Sequence, residues 1–309
     1  TVRYLEVGTE KVLHEEKHAE TTDNVITEMF VTVAGYIPDA SFKRLILSAN
    51  DDDNVITFWY TKNDKQALVT VRHYFQNIDG SNYTEDTYYT KVYTGDIGKA
   101  YSEDPLSIDG FTYNQEMSTA SGTLTQDGLF LDLYYDRNAY SYEFKFVDRT
   151  TGEEIADSVT GTAKYQKQVI EEYINLEDEG YILDSDENLA IIITIDESKN
   201  VATFYYVPFF NVVHVKHDGE NDIKVGDPLR VKMNSENLTN GKYSLTGAVS
   251  EDYLYGGTFD RKDCTANDVH DFGSENAISF TPEKGKIYYI WEVPERYLVP
   301  ITYSVWRHI

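Results

Sequence analysis

A short aromatic phrase returns three times: FWYTKN from Phe58 to Asn63, LYYDRN from Leu133 to Asn138, and FYYVP from Phe204 to Pro208. The copies start 75 and 71 residues apart (58 to 133, 133 to 204). An aromatic strand end recurring at near-constant spacing marks an array of small modules. Each copy is preceded by a glycine–aromatic step: Gly35-Tyr36, Gly110-Phe111 and Gly180-Tyr181. That step reads as a backbone turn that needs glycine, followed by an aromatic that plugs a core.

Outward from these marks, each repeat opens on an alternating strand. The openings are VRYL (Val2 to Leu5), VTVRHYF (Val69 to Phe75) and YEFKFVD (Tyr142 to Asp148). Period-two alternation predicts half-buried β-strands. The boundaries fall at residues 1–64, 65–138 and 139–208, and residues 209–309 read as a distinct β-rich domain. The stretch Tyr165 to Tyr173 is the best helix candidate, because Tyr165, Val169, Ile170 and Tyr173 sit near helical spacing. The expected fold class is therefore α+β and β-dominated.

Composition agrees. The 309 residues are 41% hydrophobic and 14% aromatic, with 26 tyrosines, enough apolar content for packed, β-leaning cores. Fifty-three acidic residues against 27 basic give a formal net charge of −26. Such a surface repels phosphate backbones and anionic membranes, so no nucleic-acid partner is expected. No run of about 18 apolar residues exists, so no membrane insertion is expected. Cys264 is the single cysteine, which rules out an intrachain disulfide and fits either a cytoplasmic protein or a bacterial surface protein built without them. The chain opens inside what reads as a strand, so a fragment of a longer protein is expected.

The repeat resembles the mucin-binding-protein (MucBP) repeat of Gram-positive surface proteins. The second repeat carries the closest match, in VRHYF (Val71 to Phe75), Asp79-Gly80, YTGDIGKAY (Tyr93 to Tyr101), IDGF (Ile108 to Phe111) and LYY (Leu133 to Tyr135). The third matches in FVD (Phe146 to Asp148), TGEEI (Thr151 to Ile155), Gly180-Tyr181 and FYY (Phe204 to Tyr206). The first keeps VRYL, Gly35-Tyr36 and FWY (Phe58 to Tyr60). The resemblance implies tandem β-grasp, ubiquitin-like modules in an elongated array, in an extracellular protein of the bacterial cell surface. It also implies host mucin or glycans as partners, and it brings no fixed set of binding residues.

Catalytic patterns are missing from the sequence. Cys264 and His270 are six apart with no orienting third group, and there is no G-x-S-x-G, H-E-x-x-H or phosphate-binding loop. His14 and His18 read as surface residues. Lys145 and Lys216 lie on opening strands, but no asparagine sits inside a closing strand to crosslink with them. Oxygen-rich loops are the one metal signal: Asp51 to Asn54 in a turn, and Asp260, Asp263, Asp268 and Asp271 crowded in a loop that suits Ca²⁺. No cofactor other than calcium is implied.

Ligand binding falls to the aromatics. Adjacent residues of a strand face opposite ways, so one ring of each closing pair points outward. Trp59, Tyr134, Tyr205 and Tyr255 are the candidates for stacking on sugar rings. The competing expectation is that these rings pack on neighbouring modules of the same protein. The sequence thus points to a non-catalytic adhesin or stalk segment. A virion-fibre or filament subunit, and a carbohydrate-active enzyme within the last hundred residues, are the alternatives.

Overall fold

A computed structural model of the chain describes residues 1–21, 23–217, 222–246, 253–259 and 277–294. The described residues are β-strand and turn, with three short 3-10 turns and no α-helix. The chain forms two compact units. One holds residues 1–140, 162–167 and 193–195; the other holds 141–161, 168–192 and 196–309.

The first segment contains β1 (Val2–Glu6), β2 (Val12–Lys17), β3 (Val25–Met29), β4 (Tyr36–Pro38), β5 (Phe42–Ile46) and β6 (Ile56–Lys62). Four of these make a sheet in the order β2-β1-β6-β4, with the central pair β1 and β6 parallel and both flanks antiparallel. The other two, β3 and β5, form a separate two-stranded antiparallel ribbon. The ribbon's inner face covers the sheet, where Ile26 and Leu45 pack on Val2, Tyr4, Ile56, Phe58 and Tyr60.

The second segment repeats this plan. It contains β7 (Gln66–Gln76), β8 (Tyr83–Glu85), β9 (Lys91–Asp96), β10 (Ala100–Ser102), β11 (Phe111–Thr119), β12 (Ser121–Thr123) and β13 (Leu129–Arg137). Here β7 and β13 are the parallel pair, β11 flanks β13, β8 and β9 both flank β7, and β10–β12 is the ribbon.

The third segment has β14 (Ala139–Asp148), β15 (Glu154–Lys164), β16 (Gln168–Glu172), β17 (Tyr181–Leu183), β18 (Asn188–Ile192) and β19 (Val201–His217). The order is again β15-β14-β19-β17, with β16–β18 as the ribbon. Strand β19 is 17 residues long and serves two sheets in succession. Its second half pairs in parallel with β25 (Ile287–Pro294) and antiparallel with β20 (Asp222–Lys232). Four more strands are described beyond these: β21 (Leu238–Thr239), β22 (Lys242–Thr246), β23 (Tyr253–Phe259) and β24 (Ala277–Phe280), with β24 pairing β22 and β23 flanking β25. The sequence sets residues 209–309 apart, yet their described strands follow the order of the three preceding segments.

The closing phrase is legible in this plan. Its first and third residues face the core: Phe58 and Tyr60, Leu133 and Tyr135, Phe204 and Tyr206 are all buried. Burying a ring of this size contributes about 2–3 kcal/mol. The third residue is always tyrosine, and its hydroxyl ties down an irregular segment. Tyr60 donates to Val31 O at 2.7 Å and accepts from Val31 N at 3.2 Å. Tyr206 does the same with Ile174, at 2.8 and 3.2 Å. Tyr135 accepts from Leu106 N at 3.0 Å.

The helix expected over Tyr165 to Tyr173 is absent. Tyr165 and Gln166 form a turn, with Gln166 in the left-handed region at φ 65°, and Gln168–Glu172 is strand β16. Exposure there alternates with period two, so the near-helical spacing of the apolar residues was coincidental.

Candidate functional site

The outward residues of the central parallel pairs form equivalent surfaces on three sheets. Strand register places Arg3 and Leu5 beside Thr57 and Trp59, Arg72 and Tyr74 beside Asp132 and Tyr134, and Lys145 and Val147 beside Thr203 and Tyr205. A cation and an aromatic thus occupy the same two positions each time. The surroundings of the aromatic differ.

On the second sheet the outward side chains complete one another. Arg72 makes a bidentate pair with Asp132, at 2.7 Å for each nitrogen–oxygen contact. Its guanidinium lies 4.5 Å from the Phe130 ring centre and 5.6 Å from that of Tyr74. Tyr74 stacks on Tyr134 at 4.8 Å and 13°, and Tyr83 meets Tyr134 edge-on at 5.2 Å. The Tyr83 hydroxyl donates to Asp136, which also accepts from Asn114 Nδ2. The Asp132 hydrogen bond raises the Arg72 pKa, and burial pushes the Tyr74 hydroxyl up to about 12. Tyr134 therefore spends one face on Tyr74, within its own sheet rather than on another module.

On the third sheet, Tyr205 is covered by the Arg149 guanidinium, 4.5 Å from its ring centre. Arg149 Nε is in turn 2.8 Å from Asp184. On the first sheet, Trp59 has no aromatic or cationic partner among the described residues. It is half-buried, and its backbone is fixed on both sides by Asp39. The Trp59 amide donates to Asp39 Oδ1 at 3.1 Å, and the Asp39 amide donates to Trp59 O at 2.8 Å. Leu5 is its cross-strand neighbour, and the nearby cation Arg3 is held by Glu16 at 3.0 Å. Trp59 is thus the candidate ring left without an aromatic or cationic partner among the described residues, while Tyr205 is the more exposed of the two, at 38%. Tyr255 lies on β23, and its side chain is outside the described residues.

The calcium candidates Asp260, Asp263, Asp268 and Asp271 also lie outside the described residues, as do Cys264 and His270. Among the described residues no three His, Cys, Asp or Glu side chains gather as a metal site. Asp51–Asp53 form an exposed 3-10 turn, with Asn50 Nδ2 donating to Asp53. His14 meets the Tyr4 ring edge-on, while His18 sits 3.2 Å from Thr1 Oγ1. Lys145 pairs with Glu154 at 2.9 Å and Glu143 at 3.6 Å.

The glycine–aromatic step proves to be a joining device. The carbonyls of Gly35, Gly110 and Gly180 accept from the amides of Asn63 and Asn138, the last residues of their phrases, and of Phe209, just past its own. Gly110 and Gly180 have φ of +80°, and both are closely approached. A Cβ on Gly110 would stand 2.2 Å from the Tyr165 ring, and one on Gly180 would stand 2.9 Å from Gly285 N. The aromatic of the step also plugs a core as expected, with Tyr36 and Phe111 each packed on the core of its own segment. Only the residues the step meets, distant in sequence, reveal the joining role.

Two further groups had no sequence signal. Arg137 is buried, donating to Gln76 O, Tyr165 O and Gln166 Oε1 at 2.9–3.1 Å. Its guanidinium lies 4.6 Å from the Phe111 ring centre, and burial lowers its pKa. His73 is fully buried, with Nδ1 3.0 Å from the Tyr135 hydroxyl and Nε2 without a partner. Burial pushes its pKa down.

No protein family matches the sequence, and no curated protein matches it. A solved structure, the Bacillus anthracis TIE protein, aligns with 82% of this chain and 53% of its own, at 11% identity and a TM-score of 0.31. The chain thus spans about half the length of that protein, and a likeness so slight carries no argument here. No described helix is long and apolar enough to cross a membrane.

Proposed function

We propose that this chain is a non-catalytic segment of an extracellular adhesin or stalk of a bacterial cell surface. Its segments are tandem β-grasp-like modules in an elongated array, related to MucBP repeats. The central parallel pair of each mixed sheet supports the β-grasp reading, with a two-stranded ribbon where that fold carries its helix. The observation that carries the reading is the absence of linkers. Three residues (63–65) separate β6 from β7, one (138) separates β13 from β14, and β19 passes from one sheet to the next without a break. Flexible linkers let domains move, whereas direct strand-to-strand joins transmit orientation. A chain that must project and hold needs the second property.

Host glycans are the ligand class, and Trp59 is the ring to meet them, since a sugar's apolar face stacks on an indole that no other ring or cation covers. Screening the whole chain on a glycan array tests this. Wild-type protein is expected to retain a defined glycan, and Trp59→Ala to lose at least about tenfold in affinity. Binding that survives Trp59→Ala would move the site elsewhere. A blank array would leave a stalk or a filament subunit.

A further inference from the structure

Two of the ribbons leave an apolar face uncovered. In β3–β5, the inner face packs on its sheet, and the outer face presents Val25 opposite Ile46, Thr27 opposite Arg44, and Met29 opposite Phe42. Ile46 is 77% exposed and Phe42 52%. In β16–β18, the outer face presents Gln168 opposite Ile192, Ile170 opposite Ala190, and Glu172 opposite Asn188. Ile170 is 60% exposed and Ile192 62%.

The other two ribbons are built differently. The outward residues of β10–β12 are Ala100, Ser102, Ser121 and Thr123, and β22–β24 turns Ser244 and Ser279 outward, 2.9 Å apart. The plan of the fold therefore does not require apolar residues at these positions. An exposed two-stranded ribbon bearing β-branched and aromatic side chains is a recognition surface or an aggregation hazard.

The charges on the two apolar faces are opposite. Arg44 sits at the centre of the first and Glu172 at one end of the second, and neither has an ion-pair partner among the described residues. In a chain of net charge −26, an apolar face whose one charge is positive is suited to an acidic partner with apolar surface of its own. The β16–β18 face has that chemistry.

We propose that the β3–β5 ribbon of one copy docks on the β16–β18 ribbon of a second copy, with Arg44 meeting Glu172. Each face is only about 17 Å long and two strands wide, far below what a stable interface needs. The association is therefore weak and concentration-dependent, suited to lateral contact between neighbouring molecules on a surface. This inference is independent of glycan binding.

Sedimentation velocity of the whole chain across about 10 μM to 1 mM tests it. Wild-type protein is expected to pass from monomer to dimer in that range. Arg44→Glu and Glu172→Arg, each placing like charges together, should weaken association at least about tenfold. The double variant should restore it, because the pair is simply reversed. Both substituted positions are exposed, and circular dichroism and Tm check folding. A wild-type chain that stays monomeric, single variants that associate unchanged, or a double variant no better than either single would overturn the proposal.

Discussion

Around Arg137, at the end of β13, two cations are held with no carboxylate among their described partners. Beside β19, Arg230 and Lys232 each meet one. In the first place Arg137 is surrounded by carbonyls, an amide and the Phe111 ring, and Lys164 Nζ donates to Arg137 O at 2.7 Å and Gln76 Oε1 at 3.2 Å. In the second, Arg230 grips Glu177 through two contacts of 2.5 and 2.7 Å, and Lys232 reaches Asp184 at 2.5 Å. The same strand plan is thus joined by two chemistries. A buried cation satisfied by fixed dipoles is costly to desolvate and costly to remove. Exposed ion pairs contribute little and fade with salt.

The comparison breaks most sharply at Arg137. Arg137→Met should cost about 3 kcal/mol in urea unfolding, because it strands the Gln76 and Tyr165 carbonyls and the Gln166 amide. That loss should be the same in low and high salt. Gly180→Ala tests the second join at its backbone. Alanine at positive φ, facing the Gly285 backbone, should cost about 2 kcal/mol or more. Tyr206→Phe removes one hydroxyl that serves both the amide and the carbonyl of Ile174, and should cost about 1–2 kcal/mol.

Acid separates the two chemistries further. His73 binds its proton less readily folded than unfolded, so the unfolded state takes up more protons as pH falls through about 6.5. The stability of the first unit is then full above that pH and declines below it, down to the folded-state pKa. His73→Phe should flatten the Tm-versus-pH curve between pH 7.5 and 5. The smallest effect is expected at Glu177→Gln, below about 1 kcal/mol at low salt and negligible in 1 M NaCl.

The strands and their repeat were legible in the sequence because alternation and the closing aromatics report local geometry. FWY, LYY and FYY bury their outer members as period two demands. The repetition of the fold past Phe209 was not legible, since those residues lack the glycine–aromatic step while keeping the pairing order. Nor was the environment of each outward ring. Whether Trp59, Tyr134 or Tyr205 is open depends on Tyr74, Tyr83 and Arg149, which local spacing does not place beside them. Nothing in LYYDRN marks Arg137, because its partners at 76 and 165–166 come from distant sequence.

Joins without linkers are the centre of this account, and small-angle X-ray scattering tests them most directly. Modules held end to end should give a radius of gyration of about 30 Å for the whole chain, unchanged between low and high salt. A value near 19 Å, that of a compact chain of this length, would contradict the array.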